Sequence, residues 1–331
     1  EITASGDAGY TYSSEEVGVR TDDGYGFNHD ITFSGSGELD NGFTVSTTMI
    51  LVEGSSLSSS NVTLGMGGLG SITIGNGLAG VGGAYDDVTP RAYEENHDGM
   101  KTSTAIDNMG ALTDGNAVMY TSPSFDLGGA SASFMLGFTP EAGDAATGEG
   151  AVAGQSASYG SGKDIGVVVS MAGLTAGAYA MEIENDRGTA ARERNPMTAR
   201  WYANYSFGPV SVGYQTGGLD YGKAAAVDGT AIAATTAKKI TTATGDFEFE
   251  KMSIAFNVNE NLSLSWGELE ETYDAQSATV ADVEMSSTSI QFAYTMGSMS
   301  IKGYQTDTDN PGWDSNAKSD EVTELAVNFA F

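Results

Sequence analysis

The chain contains no cysteine, which removes disulfides, thiolate metal sites and thiol catalysis together. Basic residues are also scarce, 14 Lys and Arg against 44 Asp and Glu, for a net charge of −30. A surface this negative disfavours nucleic acid and anionic lipid and draws cations. No stretch approaches the roughly 20 consecutive apolar residues of a membrane helix, and the apolar runs are short pieces such as residues 166–169. A helical membrane protein is therefore excluded. Histidine is reduced to His29 and His97. His29 and its neighbour Asp30 lie on one strand pattern, so they face opposite sides and form no dyad, while His97 sits among acids.

What is present suits strands and turns. There are 45 glycines and only 6 prolines, with abundant Ser, Thr, Tyr and Phe, a composition poor for helices. Leu325, Val327, Phe329 and Phe331 alternate with Glu324, Ala326, Asn328 and Ala330, so the chain ends on a strand pattern. Residues 1–12 alternate as well and offer that strand a partner, which predicts a closed barrel. Period-two segments number sixteen: 2–13, 26–39, 43–53, 61–67, 70–76, 116–124, 130–138, 163–171, 174–184, 197–207, 210–217, 246–258, 262–272, 284–296, 299–306 and 321–331. Their connections alternate between tight turns such as Ala172-Gly173 and Gly208-Pro209 and long excursions at 77–115, 139–162, 218–244 and 307–320. In an up-and-down meander this gives one trimmed rim and one elaborate rim, as in outer-membrane barrels. Sixteen strands leave an aqueous lumen where about eight would fill with side chains. The fold expected is all-β, a 16-stranded antiparallel transmembrane β-barrel forming one domain over residues 1–331. The start at Glu1 carries no signal peptide and fits a mature exported chain in the bacterial outer membrane.

The run Ser5-Gly6-Asp7-Ala8, the run Gly68-Leu69-Gly70-Ser71-Ile72-Thr73-Ile74-Gly75, the segment Asn116-Ala117-Val118-Met119-Tyr120-Thr121-Ser122-Pro123-Ser124-Phe125 and the terminal Phe331 occur in order along the whole chain. In these the chain resembles the trimeric general porins of Gram-negative bacteria, most of all the alphaproteobacterial, Rhodobacter-type branch. The resemblance implies a homotrimer in outer-membrane lipid and lipopolysaccharide. It also implies a water-filled pore for small hydrophilic solutes and ions, with a third external loop, here 77–115, folded inward as the constriction. Phe331 resembles the family's signal for assembly machinery. The short loop that latches onto a neighbouring subunit falls near residues 54–60, where only Gly, Ser and Leu57 stand, so no charged latch is expected.

A porin works through the shape and field of its constriction and needs no nucleophile. The third loop holds Asp86, Asp87, Glu94, Glu95, Asp98, Asp107 and Asp114 against Arg91 and Lys101. Ten of the 14 basic residues fall in connections, leaving Lys163, Arg200, Lys251 and Lys302 on strands. Arg200, Lys251 and Lys302 share the parity of polar residues and are expected to face the acidic loop across the pore, imposing a transverse field. Lys163 has the lipid-facing parity and reads as a rim residue. Asp86, Asp87, Glu94 and Glu95 are close enough in sequence for Ca²⁺, which prefers oxygen ligands, though no EF-hand spacing is present. Tyr10, Tyr12, Phe207, Tyr214, Phe329 and Phe331 suit aromatic girdles. Two other functions compete with this one. A barrel enzyme lacks a placed histidine base, and a substrate-specific channel for sugar or phosphate lacks a run of inward aromatics or a basic lumen. The reading is a passive, weakly cation-favouring diffusion pore.

Overall fold

The computed structural model describes residues 2–17, 20–52, 56–78, 80–98, 115–140, 160–184, 194–220, 222, 246–274 and 282–331. Its strands are β1 (Ile2–Val17), β2 (Arg20–Glu38), β3 (Thr44–Val52), β4 (Ser56–Gly65), β5 (Ser71–Leu78), β6 (Gly115–Thr121), β7 (Phe125–Asp126), β8 (Ser131–Thr139) and β9 (Gly162–Met171). These are followed by β10 (Leu174–Ile183), β11 (Met197–Phe207), β12 (Val210–Asp220), β13 (Asp246–Asn257), β14 (Leu262–Asp274), β15 (Val283–Met296), β16 (Met299–Asp309) and β17 (Asp320–Ala330). All neighbours are antiparallel. β6 and β7 both pair with β8, and the break between them holds Pro123, which has no N–H to give a ladder. They make one stave, so the barrel has sixteen.

The seam closes where the terminal pattern pointed. β1 pairs with β17 from Asp7 opposite Ala330 to Val17 opposite Asp320, and with β2 on its other edge. The N–H of Gly6 donates to the Phe331 carbonyl and the N–H of Phe331 donates to the Gly6 carbonyl, each at 2.9 Å. The final residue is thus held in the ladder. Closure leaves no edge strand, which in a bilayer satisfies backbone groups that lipid could not. At the short-turn rim, Ala172 (φ 47°) and Gly173 (φ 87°) both take the left-handed conformation, matching a two-residue turn to the strand twist.

Each expected segment lies on one of these staves. The strands of the first hairpin run further than the alternation indicated, and Arg20, expected in a connection, begins β2. Of the expected latch at 54–60, residues 56–60 belong to β4, while 54 and 55 lie outside the described residues.

Alternation assigns two faces to the wall. On β13, Met252, Ile254 and Phe256 are exposed on the first face, while Lys251 and Ser253 are buried on the second. β11 repeats this, with Trp201, Tyr205 and Phe207 exposed and Thr198, Arg200 and Tyr202 buried. Toward the long-loop rim the pattern inverts without a change of register. Glu248, Glu250, Glu268, Glu270 and Glu284 continue the first face of β13 to β15 above the apolar side chains. Phe247, Phe249, Leu269, Tyr273 and Met285 continue the second face and are buried. Trp313 packs on Phe247 with ring centroids 4.8 Å apart, and Tyr273 does so at 5.1 Å. Near the long-loop rim, then, the second face is not polar throughout but carries an apolar core against which Trp313 packs. Carboxylates on the first face at that level mark the upper limit of the lipid band, because a charge at midplane would cost about 2–4 kcal/mol.

Candidate functional site

Residues 80–98 follow β5 and lie along the second face of β9 to β17. At Gly82–Tyr85 the chain makes a 3-10 turn, and Tyr85 is wholly buried. It stacks on Tyr179 at 5.4 Å and leans on Tyr202 at 6.1 Å, within a cluster that includes Val81, Met181 and Ile183. Burial first, and then Tyr202, push the Tyr85 phenol up to about 12. The N–H of Val81 donates to Asp164 Oδ2 at 3.1 Å, so this apolar root also has a polar tether to β9.

Beyond it the loop is bonded to one stave after another. Arg200 Nη1 donates to the Tyr85 carbonyl at 2.8 Å and reaches Asp86 Oδ1 at 3.3 Å. Gln215 Nε2 donates to the carbonyls of Tyr85 and Asp86, both at 2.7 Å, and Asn204 Nδ2 donates to the Val88 carbonyl at 2.6 Å. Lys251 pairs with Asp87, both side chains being fully buried. Asp87 Oδ1 also accepts from the N–H and hydroxyl of Thr89, a local turn that fixes the carboxylate. Further along, the N–H of Ala92 donates to Ser265 Oγ at 2.9 Å and that of Tyr93 to Gln291 Oε1 at 3.0 Å. Gln291 Nε2 donates to the Glu94 carbonyl at 2.7 Å, and Ser287 Oγ to the Asn96 carbonyl at 3.1 Å. Tyr93 Oη reaches Glu324 Oε1 on β17 at 3.0 Å, and Lys302 Nζ stands 5.0 Å from the Tyr93 ring centroid.

The loop's acids therefore differ in state. Burial would raise the Asp87 carboxyl, but the Lys251 ammonium, its hydrogen bond and Arg91 outweigh burial and hold it below the usual range. At Glu94 the Lys302 ammonium pulls the same way but is outweighed. Burial and then Asp98 raise the Glu94 carboxyl to about 7, and burial raises Asp98 too. The charge on Glu94 therefore changes near neutrality.

All three strand cations expected at the site meet the loop, but by contact. Arg200 and Lys251 are 2 % and 1 % exposed, so they neutralise Asp86 and Asp87 in place and do not face them across open water. Lys163, on the first face, is exposed and pairs with Glu182 at 3.4 Å, as a rim residue should. Asp107 and Asp114, with Lys101, lie outside the described residues. The four acids proposed for Ca²⁺ do not converge. Asp86 turns to Arg200 and Glu94 to Asp98, whereas Asp87 gathers with Glu95 and His97, their ligand atoms within 4.8 Å of one another. Lys251 and Arg91 already bring positive charge to Asp87, and an imidazole suits softer ions better than calcium, so this group does not fit a calcium site.

Sequence reading missed the uncharged anchors Gln215, Gln291 and Asn204. Their signal was present: amides at second-face positions of strands, each needing a partner where buried.

A family model described as Gram-negative porin matches residues 1–331. No curated protein matches the sequence. Among solved structures, a porin refined at high resolution is 19% identical with a TM-score of 0.62, both chains being covered completely. Salmonella typhi OmpF in complex with daunomycin is 12% identical with a TM-score of 0.70, covering 100% of this chain and 97% of that one. A variant of Rh. blastica porin is 15% identical with a TM-score of 0.59, again with complete coverage.

Proposed function

The chain belongs to the Gram-negative porin family and forms an outer-membrane channel, not an enzyme; on that premise we propose a general diffusion pore that favours cations and passes small hydrophilic solutes. In this reading one barrel domain spans residues 1–331, its second face lines the lumen, and residues 80–98 narrow it. The acids Asp86, Asp87, Glu94, Glu95 and Asp98, with Asp107 beyond the described residues, belong to the constriction, and Arg200, Lys251 and Lys302 are its basic wall.

One observation carries the selectivity. Of residues 1–90, Arg20 is the only Lys or Arg, so the wall from β1 to β5 offers hydroxyls, amides and acids but almost no cation. Asp7 and Asp30 sit opposite each other there, at second-face positions. The cations of the other wall are taken up by the loop. Uncompensated negative potential over the open part of the lumen raises the local concentration of cations and lowers that of anions. No cofactor is called for, since conduction rests on shape and field.

The family resemblance supports a homotrimer with lipid and lipopolysaccharide around it. Exposed Tyr10, Phe27, Leu325, Phe329 and Phe331 flank the seam and supply an apolar surface for a neighbouring subunit or for lipid. Phe331 is the proposed assembly signal. Planar-bilayer recording tests the function: large ohmic single-channel conductance is expected, and its absence from correctly folded protein would remove the reading.

A further inference from the structure

Among the described mid-strand glycines with no backbone reason to be glycine, three would carry a Cβ closer than 3.0 Å to the 80–98 segment. Gly166 on β9, Gly213 on β12 and Gly267 on β14 are absent from the glycines with positive φ. Any residue could adopt their conformation, and glycine weakens a strand unless another group must approach closely. A group does approach each of them, and in each case it includes a residue of the 80–98 segment. A Cβ on Gly166 would come closer than 3.0 Å to the Tyr85 ring. On Gly213 it would meet Pro90 Cδ and the Asn204 carboxamide, and on Gly267 the Asn96 carboxamide. Gly177, by contrast, receives Tyr202 from the adjoining strand, which is packing within the wall.

The order is regular. Residues 85, 90 and 96 advance along the loop as β9, β12 and β14 advance round the wall. The polar anchors bind the loop residues from 85 to 94: Arg200 and Asn204 on β11, Gln215 on β12, Lys251 on β13, Gln291 on β15. Hydrogen bonds fix the loop laterally, but its distance from the wall is set by what the wall lacks. Pro90 Cδ is bonded to its own backbone nitrogen, so displacing it displaces the chain. Asn96 is buried and its carbonyl is held by Ser287, which leaves its amide little room to swing.

We infer that Gly166, Gly213 and Gly267 are positioning residues of the pore, sockets that let the loop lie flat on the wall and thereby set the width of lumen left open. The inference rests on the reading of the loop as constriction. A side chain in a socket pushes the loop toward the open lumen, so the channel narrows while the barrel persists.

The test uses full-length protein refolded in detergent, with heat-modifiable migration as the check on barrel closure. Gly213→Ala and Gly267→Ala should close normally and show lower single-channel conductance and slower entry of neutral sugars into liposomes. Adding Asn96→Ala to Gly267→Ala removes the atoms the new Cβ meets and should restore conductance; a general loss of strand stability would not be rescued so. Closed barrels with unchanged or raised conductance, or a loss that Asn96→Ala leaves in place, overturn the inference. Deleting residues 86–97 separates the two levels. If the deletion fails to widen the pore, the loop is no constriction and the underlying reading falls; if it widens the pore while the alanine variants are silent, only the sockets fall.

Discussion

Along β13 exposed and buried residues alternate strictly from Phe247 to Ile254, whereas along the described parts of β2 to β5 no residue is buried at all. Both stretches belong to one antiparallel sheet with the same period. They differ in what rests on the second face. β9 to β15 carry residues 80–98 and the aromatic pack around Phe247, so their second face has become a protein interior, with close packing and paired charges. Among the described residues, the second face of β2 to β5 keeps every side chain at least partly accessible. Cations and anions of a barrel wall need not oppose each other through water: here Arg200, Lys251 and Lys302 contact the loop, and in the proposed pore the passage is left to hydroxyls and acids.

The largest expected effect comes from breaking the covered side. Lys251→Met leaves buried Asp87 with only the partly exposed Arg91 as a cation, which should destabilise the covered wall by about 3 kcal/mol, read as an earlier urea transition in detergent. Asp87→Asn added to it should return most of that loss, because the stranded charge is gone; a double variant as unstable as the single would show that the pair's charge is not what matters. Asp87 also sets a pH limit. Its folded carboxyl lies below the ordinary 3.8, so the pair's contribution is complete above that value and is lost only as pH falls through the lowered one.

A second change sharpens the comparison from the open side. Thr48 shares the second-face parity of Ser34, its cross-strand neighbour. Thr48→Lys would place a cation where this chain has none. A unit charge about 4 Å from a passing ion is worth ~1 kcal/mol even in water, so the cation-to-anion permeability ratio should fall several-fold. An unaltered reversal potential would put Thr48 away from the conducting path.

Smaller effects attend Glu94 and divalent ions. With its carboxyl raised to about 7, Glu94 gains charge as pH rises through neutrality, so cation preference should grow between about pH 6 and 8, and Glu94→Gln should flatten that rise. The stability sign is opposite: the contribution of the neutral Glu94 carboxyl is whole below its ordinary 4.5 and fades as pH climbs toward about 7. Chelating divalent ions should move the reversal potential least of all, since Lys251 and Arg91 already bring positive charge to the Asp87 cluster.

Much of the fold was legible because strand alternation is local. Leu325 to Phe331 announced a docked end, and Ala172-Gly173 or Gly208-Pro209 marked the trimmed rim with residues that tolerate tight turns. Pairing followed from order alone in a meander. The site was legible only as an inventory. Parity placed Arg200, Lys251 and Lys302 on the right face, yet it says nothing of the distance between a wall and a loop more than 100 residues away in sequence. Whether those cations would meet the acids through water or by contact depended on Gly166, Gly213 and Gly267, whose meaning is an absence of side chain and gives no periodic signal. The inversion at Phe247 and Phe249 escaped for a related reason, since alternation names two faces without saying which solvent or which loop each one meets.

In the proposed pore the open lumen carries an unopposed negative field. A reversal potential for wild-type channels across a potassium chloride gradient at neutral pH and low salt tests it most directly. A potential of the sign set by cation flow, shrinking as salt screens the acids, is the predicted result; a potential set by anion flow would contradict the account.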